Sequence, residues 1–242
     1  MPKVAIIAAL EREIADAIRK WCVSKREFAG RRYKFFESER AVAVCAGIGA
    51  EPARRVCEAV VRLYQPPLII SVGLAGGLDA SVQTGNLFIP SRIVDAGDGS
   101  ALSLSQGRGT LVSWNSVAGK EQKAKLAKAY GASAVDMEAA AVARGAAAHR
   151  IGFMAVKAIS DDYEFDFPAL ERFIGADGSF RTAGLVMYAG IRPWLWRKLL
   201  HLKRDSDRAA TALCDWLEWY NQPASNVGMG EAELHPMGVV RH

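Results

Sequence analysis

Short apolar runs alternate with amphipathic segments along most of this chain, and their spacing predicts an order of strands and helices. The run from Val4 to Ala9 is of strand type and ends in Leu10-Glu11-Arg12-Glu13. An amphipathic helix is predicted next, with Ile14, Ala17, Ile18 and Trp21 on one face. Residues 31–37 and 40–45 carry aromatic and β-branched side chains and read as a hairpin. The second of these strands leads into Ala46-Gly47-Ile48-Gly49-Ala50 and a helix over about 51–64. Pro66-Pro67 stops that helix, because proline supplies no backbone N–H, and Leu68 to Val72 is another buried strand. It ends in Gly73-Leu74-Ala75-Gly76-Gly77-Leu78, read as a glycine turn. Residues 85–94 predict two short strands around Pro90. The Gly- and Ser-rich stretch 97–109 reads as a mobile loop. A polar helix over 120–130 is expected to carry Lys123, Lys125 and Lys128 on its wet side.

The stretch from Ala134 to Asp162 organises the rest. Met137-Glu138 opens a helix of small residues, Ala139 to Ala143. Residues 153–159 then read as a buried strand with Ser160 and Asp161 at its carboxyl end, the end at which open α/β sheets bind ligands. Two carboxylates, Glu138 and Asp161, therefore reach one crevice from neighbouring elements. Beyond them lie an acidic and aromatic loop over 162–168 with Tyr163, Phe165 and Phe167, and a turn over 175–180. A helical region over 181–220 is interrupted at Pro193, and 223–242 reads as a frayed tail. The alternation predicts an α/β fold of three αβα layers with a central mixed sheet. It forms one domain over 1–222, with 181–220 as a C-terminal helical extension.

Composition narrows the function classes. Half of the 242 residues are hydrophobic, enough for one large core. The net charge of +5 is spread over interspersed acids and bases without an aromatic-and-basic motif, so no nucleic-acid partner is expected. Cys22, Cys45, Cys57 and Cys214 have no CxxC or zinc-like spacing, which predicts reduced thiols and no metal site. With no signal-peptide layout and no apolar run near the ~20 residues that cross a bilayer, a cytoplasmic protein is expected.

Two glycine segments follow predicted strands, Gly47-Ile48-Gly49 and Gly73 to Gly77. Such turns either serve packing or leave N–H groups free to hold an oxyanion or phosphate. Neither has the spacing of a dinucleotide GxGxxG fingerprint or a Walker loop, so NAD and ATP are not expected and no organic cofactor is implied.

Ser71-Val72-Gly73-Leu74-Ala75-Gly76-Gly77-Leu78, Val135-Asp136-Met137-Glu138 and Ile159-Ser160-Asp161 resemble the nucleoside phosphorylase and nucleosidase superfamily. Ala8-Ala9-Leu10-Glu11-Arg12-Glu13 resembles the N-terminal signature of its methylthioadenosine/S-adenosylhomocysteine nucleosidase branch. These blocks fall in order over residues 3–165. Lys123-Ala124-Lys125-Leu126, the Val135 to Glu138 block and the Arg-Pro-containing tail are most similar to the hopanoid-associated phosphorylases, a family that removes adenine from adenosylhopane.

The resemblance implies a set of roles. Asp161 is the acid that protonates the departing purine, steadied by Ser160. Glu138 grips the ribose hydroxyls, Met137 packs under the sugar, and Leu74, Ala75 and Gly76 join the nucleoside site. To hold a proton, Asp161 is expected to sit at a partly buried strand end. Glu13 matches the residue that deprotonates water in the hydrolytic branch. A phosphorylase needs instead a cradle for inorganic phosphate as co-substrate, for which Gly47, Gly49 and Arg54 or Arg55 are the candidates. The blander alternatives are a helix-start acid for Glu13 and a solvated helix face for Arg54 and Arg55. Trp114 is the candidate for stacking on adenine.

The C-terminal region bears on the substrate. Leu185, Tyr188, Trp194, Trp196, Leu199 and Leu202 are interleaved with Arg192, Arg197, Lys198 and Lys203. That pattern suits peripheral contact with the inner membrane face, a mouth for a lipid tail, or packing in the core or in a homo-oligomer, which is expected. The expected substrate is accordingly an adenine nucleoside, either lipid-linked adenosylhopane or a soluble methylthioadenosine or S-adenosylhomocysteine. Outside this class stands a nucleoside-binding or membrane-associated protein without catalysis.

Overall fold

The computed structural model describes residues 3–166 and 196–222, with Phe173, Gly175, Gly178 and Ser179 between them. Parallel pairing at the centre suits strands that are apolar on both faces: β1 (Val4–Ala8) lies between β4 (Ala41–Cys45) and β5 (Leu68–Gly77), parallel to both. Nearly all of β5 is flanked on its other side by β11 (Gly152–Asp161), also parallel, in register from Gly152↔Leu68 to Ile159↔Ala75. The far end of β5 pairs antiparallel with β10 (Ala134–Asp136), which continues the sheet through β9 (Thr110–Ser113), β7 (Arg92–Asp95) and β8 (Ala101–Ser103). On the opposite edge β4 carries β3 (Arg31–Glu37) and β2 (Cys22–Phe28), and β6 (Leu87–Phe88) pairs with β11. The sheet is mixed, as the chain's alternation predicts.

Alternating side chains of the central strands feed two cores. Ile6, Ile70, Val72, Val156 and Ala158 face one side, where α1 (Ala15–Ile18) and the long helix α5 (Trp196–Asn221) cover them. Ala5, Ile7 and Ile69 face the other, beneath α2 (Ala50–Tyr64) and α4 (Ala139–Ala148). The remaining helix, α3 (Lys120–Tyr130), packs Leu126 against Val112 and Val135. Three layers result.

Several expectations are corrected. The helix expected after β1 is only a 3₁₀ turn at Glu11–Glu13 followed by the four residues of α1. Ile14, Ala17 and Ile18 do share one buried face, but the chain turns at Trp21 to pair β2 with β3. As an edge strand with nearly all residues wet, β2 lacks the apolar alternation that would have revealed it. Gly73 to Gly77 is no turn, since β5 runs straight through it. Residues 97–109 include β8, antiparallel to β7, rather than a plain loop.

Helix α5 takes the core-packing alternative left open for the C-terminal region. Ala209, Leu213, Trp216 and Leu217 are buried in the core of the molecule, while Leu200 is 66% exposed. Among the described residues no helix is long and apolar enough to cross a membrane. The expected helical stretch 181–195 and the tail 223–242 lie outside the described residues. All four cysteines are unpaired, with Cys57 and Cys214 buried.

Helices α2 and α4 meet closely at Gly145, where an added Cβ would stand 2.7 Å from Cys57 Sγ. Alanine gains roughly 1 kcal/mol of helix propensity over glycine, whereas overpacking costs about 1–3 kcal/mol. Gly145→Ala is therefore expected to lower the urea midpoint in the wild-type background and to raise it in a Cys57→Ala background. Equal effects in both backgrounds would remove this contact as the constraint on α2–α4 packing.

Candidate active site

Neighbouring strand ends bring the acidic residues together. β11 finishes on Ser160 and Asp161, and β10 finishes on Asp136 before Met137 and Glu138 lead into α4. Glu13 closes the 3₁₀ turn that follows β1. Glu13, Met137, Glu138, Ser160 and Asp161 line one cavity of about 210 Å3, and Leu74, Ala75 and Gly76 form part of its wall.

Glycines in β5 make room for two of the carboxylates. A Cβ on Gly73 would lie 3.1 Å from Glu13 Oε2, at a φ of +148° that side chains avoid. One on Gly76 would lie 3.0 Å from Asp161 Oδ2. The glycine segment thus serves the site through space left empty rather than through free N–H groups.

A buried ion cluster lies behind the cavity. Lys157, from the middle of β11, is 1% exposed and places Nζ 2.8 Å from Asp136 Oδ2 and 3.3 Å from Ser71 Oγ. Asp136 Oδ2 also accepts from Ala139 N at 2.9 Å, and its Oδ1 accepts from Ser113 Oγ at 2.6 Å. Ser113 Oγ in turn accepts from Ala140 N at 2.9 Å, so this pair satisfies the first amides of α4. Burial alone would lower the Lys157 pKa, but Asp136, Glu138 and Glu13 outweigh it and raise the value above that of an ordinary lysine. Burial pushes the Glu138 carboxyl up to about 7, helped by the Asp136 charge and opposed by Lys157 and the Gly49 N–H. Burial likewise raises Glu13, against the Leu10 N–H and Lys157. Carboxyl groups whose pKa is raised by burial are suited to moving protons.

Asp161 is held from two sides. Ser160 Oγ donates to its Oδ1 at 2.6 Å, and Lys123 Nζ donates to its Oδ2 and to the carbonyl of Asp162. Lys123 is 1% exposed, so its expected place on the wet face of α3 is wrong, although Lys125 and Lys128 are exposed. Periodicity separates these residues: Lys123 stands three positions before buried Leu126, on the inner face. Lys157 carried a comparable signal, a lone cation inside an apolar strand.

The expected phosphate cradle is not assembled. Gly47 N donates to Ala9 O at 2.9 Å, Ile48 N to Gly178 O at 2.8 Å, and Gly49 N to Glu138 Oε1 at 2.7 Å. Arg54 is exposed and paired with Glu51 at 2.8 Å, away from the cavity lining. The guanidinium on the wall belongs instead to Arg12. Trp114 packs partly buried beside Leu78, Val94 and Val112 and lines an adjoining space, whose wall shares Ser116, Val117, Ala118 and Asp161 with the cavity. Leu202, one of the apolar residues of the C-terminal pattern, and Ser206 complete the wall from α5. Among the described residues no three His, Cys, Asp or Glu side chains converge as a metal-ligand set.

Comparison with known proteins follows the same lines. The family model of the Phosphorylase superfamily matches residues 3–111 and 107–178. A 5′-methylthioadenosine/S-adenosylhomocysteine nucleosidase of Staphylococcus aureus (strain MRSA252) is 26% identical over 197 residues, 65% of this chain and 86% of the relative. The nucleosidase of the same description from Neisseria meningitidis, solved with methylthio-immucillin-A, superposes with a TM-score of 0.64 at 21% identity, covering 88% of this chain and 96% of that one. The corresponding protein from Colwellia psychrerythraea 34H, solved with adenine, gives 0.58 at 24% identity over 67% of this chain and 84% of that one. The futalosine hydrolase of Helicobacter pylori gives 0.60 at 16% identity, over 86% and 94%.

The raised Glu138 value has a consequence for stability. Between an unfolded carboxyl near 4.5 and the folded value of about 7, the native state holds more protons than the unfolded one, so stability falls as pH rises across that window. Glu138→Gln keeps an acceptor for Gly49 N and removes this ionisation. Its stability relative to wild type should therefore climb from pH 4.5 to 7, by a ceiling of roughly 3 kcal/mol, and stay level above pH 7. Urea unfolding at a series of pH values measures the difference, and a pH-independent difference would contradict the shift.

Proposed function

The chain belongs to the Phosphorylase superfamily, and from that premise we propose that it cleaves the N-glycosidic bond of an adenine nucleoside and releases adenine. The observation that carries this reading is the convergence of Glu13, Glu138 and Asp161 on one cavity. Breaking the bond from C1′ of ribose to N9 leaves positive charge on the sugar and an electron pair on the base. Asp161 delivers a proton to the base, most directly at N7, and Ser160 fixes the carboxyl that gives it. Glu138 accepts from the ribose hydroxyls while its own position is set by the Gly49 N–H. Met137 lies on the cavity wall beside it, where it packs under the sugar.

Water is the proposed attacking group. Glu13 takes its proton as oxygen bonds to C1′, so the reaction is a hydrolysis. Support comes from the engaged amides at 47–49 and from the distance of Arg54 from the cavity. Arg12 on the wall is the one observation that favours a second reading, phosphorolysis.

Relatives described as methylthioadenosine/S-adenosylhomocysteine nucleosidases support a soluble thioether nucleoside as substrate. The likeness to hopanoid-associated phosphorylases supports adenosylhopane, and Leu10, Ile48 and Leu202 offer an apolar wall for its substituent. In either case the scissile bond and the residues assigned to it are the same.

Adenine release should be measured from a soluble and a lipid-linked adenosyl compound, each with and without phosphate. Hydrolysis predicts release that is indifferent to phosphate. Asp161→Asn and Glu13→Gln should each lower the rate by about 10²-fold or more. Glu13→Gln should melt near wild type, and Asp161→Asn lower, because the buried Lys123 ammonium loses its counter-charge. Wild-type rates in the Asp161→Asn variant would remove that residue from the role of acid.

A further inference from the structure

A buried lysine in contact with the proposed acid is not accounted for by the cleavage scheme. Lys123 reaches in from the first turn of α3, lines the cavity, and is 1% exposed. Its ammonium meets Asp161 Oδ2 and the Asp162 carbonyl. Desolvating an ammonium is costly unless its donors are satisfied, so a lysine at this depth needs a strong partner. A surface salt bridge would have held the 162–166 segment equally well without this cost. The packing is specific to this side chain: a Cβ on Gly76 would stand 3.3 Å from Lys123 Cε and 3.4 Å from its Nζ. Glycine in β5 therefore leaves room for the lysine as well as for the carboxylate.

We propose that the Lys123–Asp161 pair, rather than Asp161 alone, is the acid that protonates the departing base, with Lys123 positioning the carboxylate and passing it the proton. This inference rests on the cleavage reading above. As the bond from C1′ to N9 breaks, its electron pair moves onto the purine. Asp161 gives a proton to the base, and Lys123 Nζ gives one to Asp161 along their hydrogen bond. The attacking water loses its proton to Glu13, adenine leaves neutral, and Lys123 recovers its proton from solvent after release. Lysine fits this task where arginine does not, because the guanidinium does not give up its proton in a protein.

The experiment compares two ribosides that share one sugar. In one the leaving group is adenine, which needs a proton; in the other it is 4-nitrophenolate, which departs as a stable anion. Lys123→Met is expected to lower kcat for adenine release by about 10²-fold with a small change in KM. Its loss on the nitrophenyl riboside should be smaller by roughly tenfold or more. Lys123→Arg keeps the cation, so it guards against simple failure to fold, and it should show the same dependence on leaving group. Equal losses on both substrates, or wild-type adenine release by Lys123→Arg, would overturn the proposal while leaving the cleavage reading intact. A wild-type protein that cleaves neither riboside would overturn the cleavage reading itself, and this inference with it.

Discussion

One buried ammonium makes the arrangement of acids tenable. Lys157 Nζ stands within hydrogen-bond distance of Asp136 and acts electrostatically on Glu138 and Glu13, all of them withdrawn from water. Carboxyl groups gathered this closely repel when ionised, and a low local dielectric magnifies the repulsion. The lysine offsets part of it; burial itself is the main cause of the raised values of Glu138 and Glu13, with the Asp136 charge adding to it at Glu138. Asp136, which also lines the cavity, has both its oxygens engaged by Lys157, Ser113 and the Ala139 amide. It serves as the counter-ion that lets its neighbour Glu138 remain available to a ligand.

The same region is built by omission as much as by contact. β5 passes between β1, β11 and β10, and its glycines leave volume that Glu13, Asp161 and Lys123 occupy. Strand glycine is usually a weakness, since it orders more backbone for less packing. Here pairing on both sides of β5 supplies the order. The site thus sits on strands at the middle of the sheet, where positions are held more tightly than on loops.

Helix α5 links the far end of the chain to this centre. Its inner face closes the core over β5 and β11, and Cys214 Sγ donates to the Glu13 carbonyl at 3.6 Å. Leu202 and Ser206 of the same helix reach the cavity wall. The helix that covers one layer of the fold therefore also forms part of the cavity wall. An apolar and basic sequence is used here on two faces, Leu213 and Leu217 inward and Lys203 and Arg204 outward.

Local pattern alone determined much of this protein. Apolar runs located β1, β4 and β11, Pro66-Pro67 located the end of α2, and the Met137-Glu138 and Ser160-Asp161 blocks located the strand ends that meet at the cavity. Such features depend on residues close in sequence, where side-chain period and backbone propensity act directly. Only tertiary structure decided the rest. β2 exists because β3 offers it an edge, and Gly73 to Gly77 became strand because β10 and β11 pair with it. Arg54 takes the solvated helix face that sequence left open beside a phosphate cradle, and Arg12 reaches the cavity wall. Lys123 and Lys157 are buried because acids from other elements, remote in sequence, lie opposite them. Charge pairing across a fold has no local signature, for its energy depends on distance and burial, and neither exists until the chain has folded.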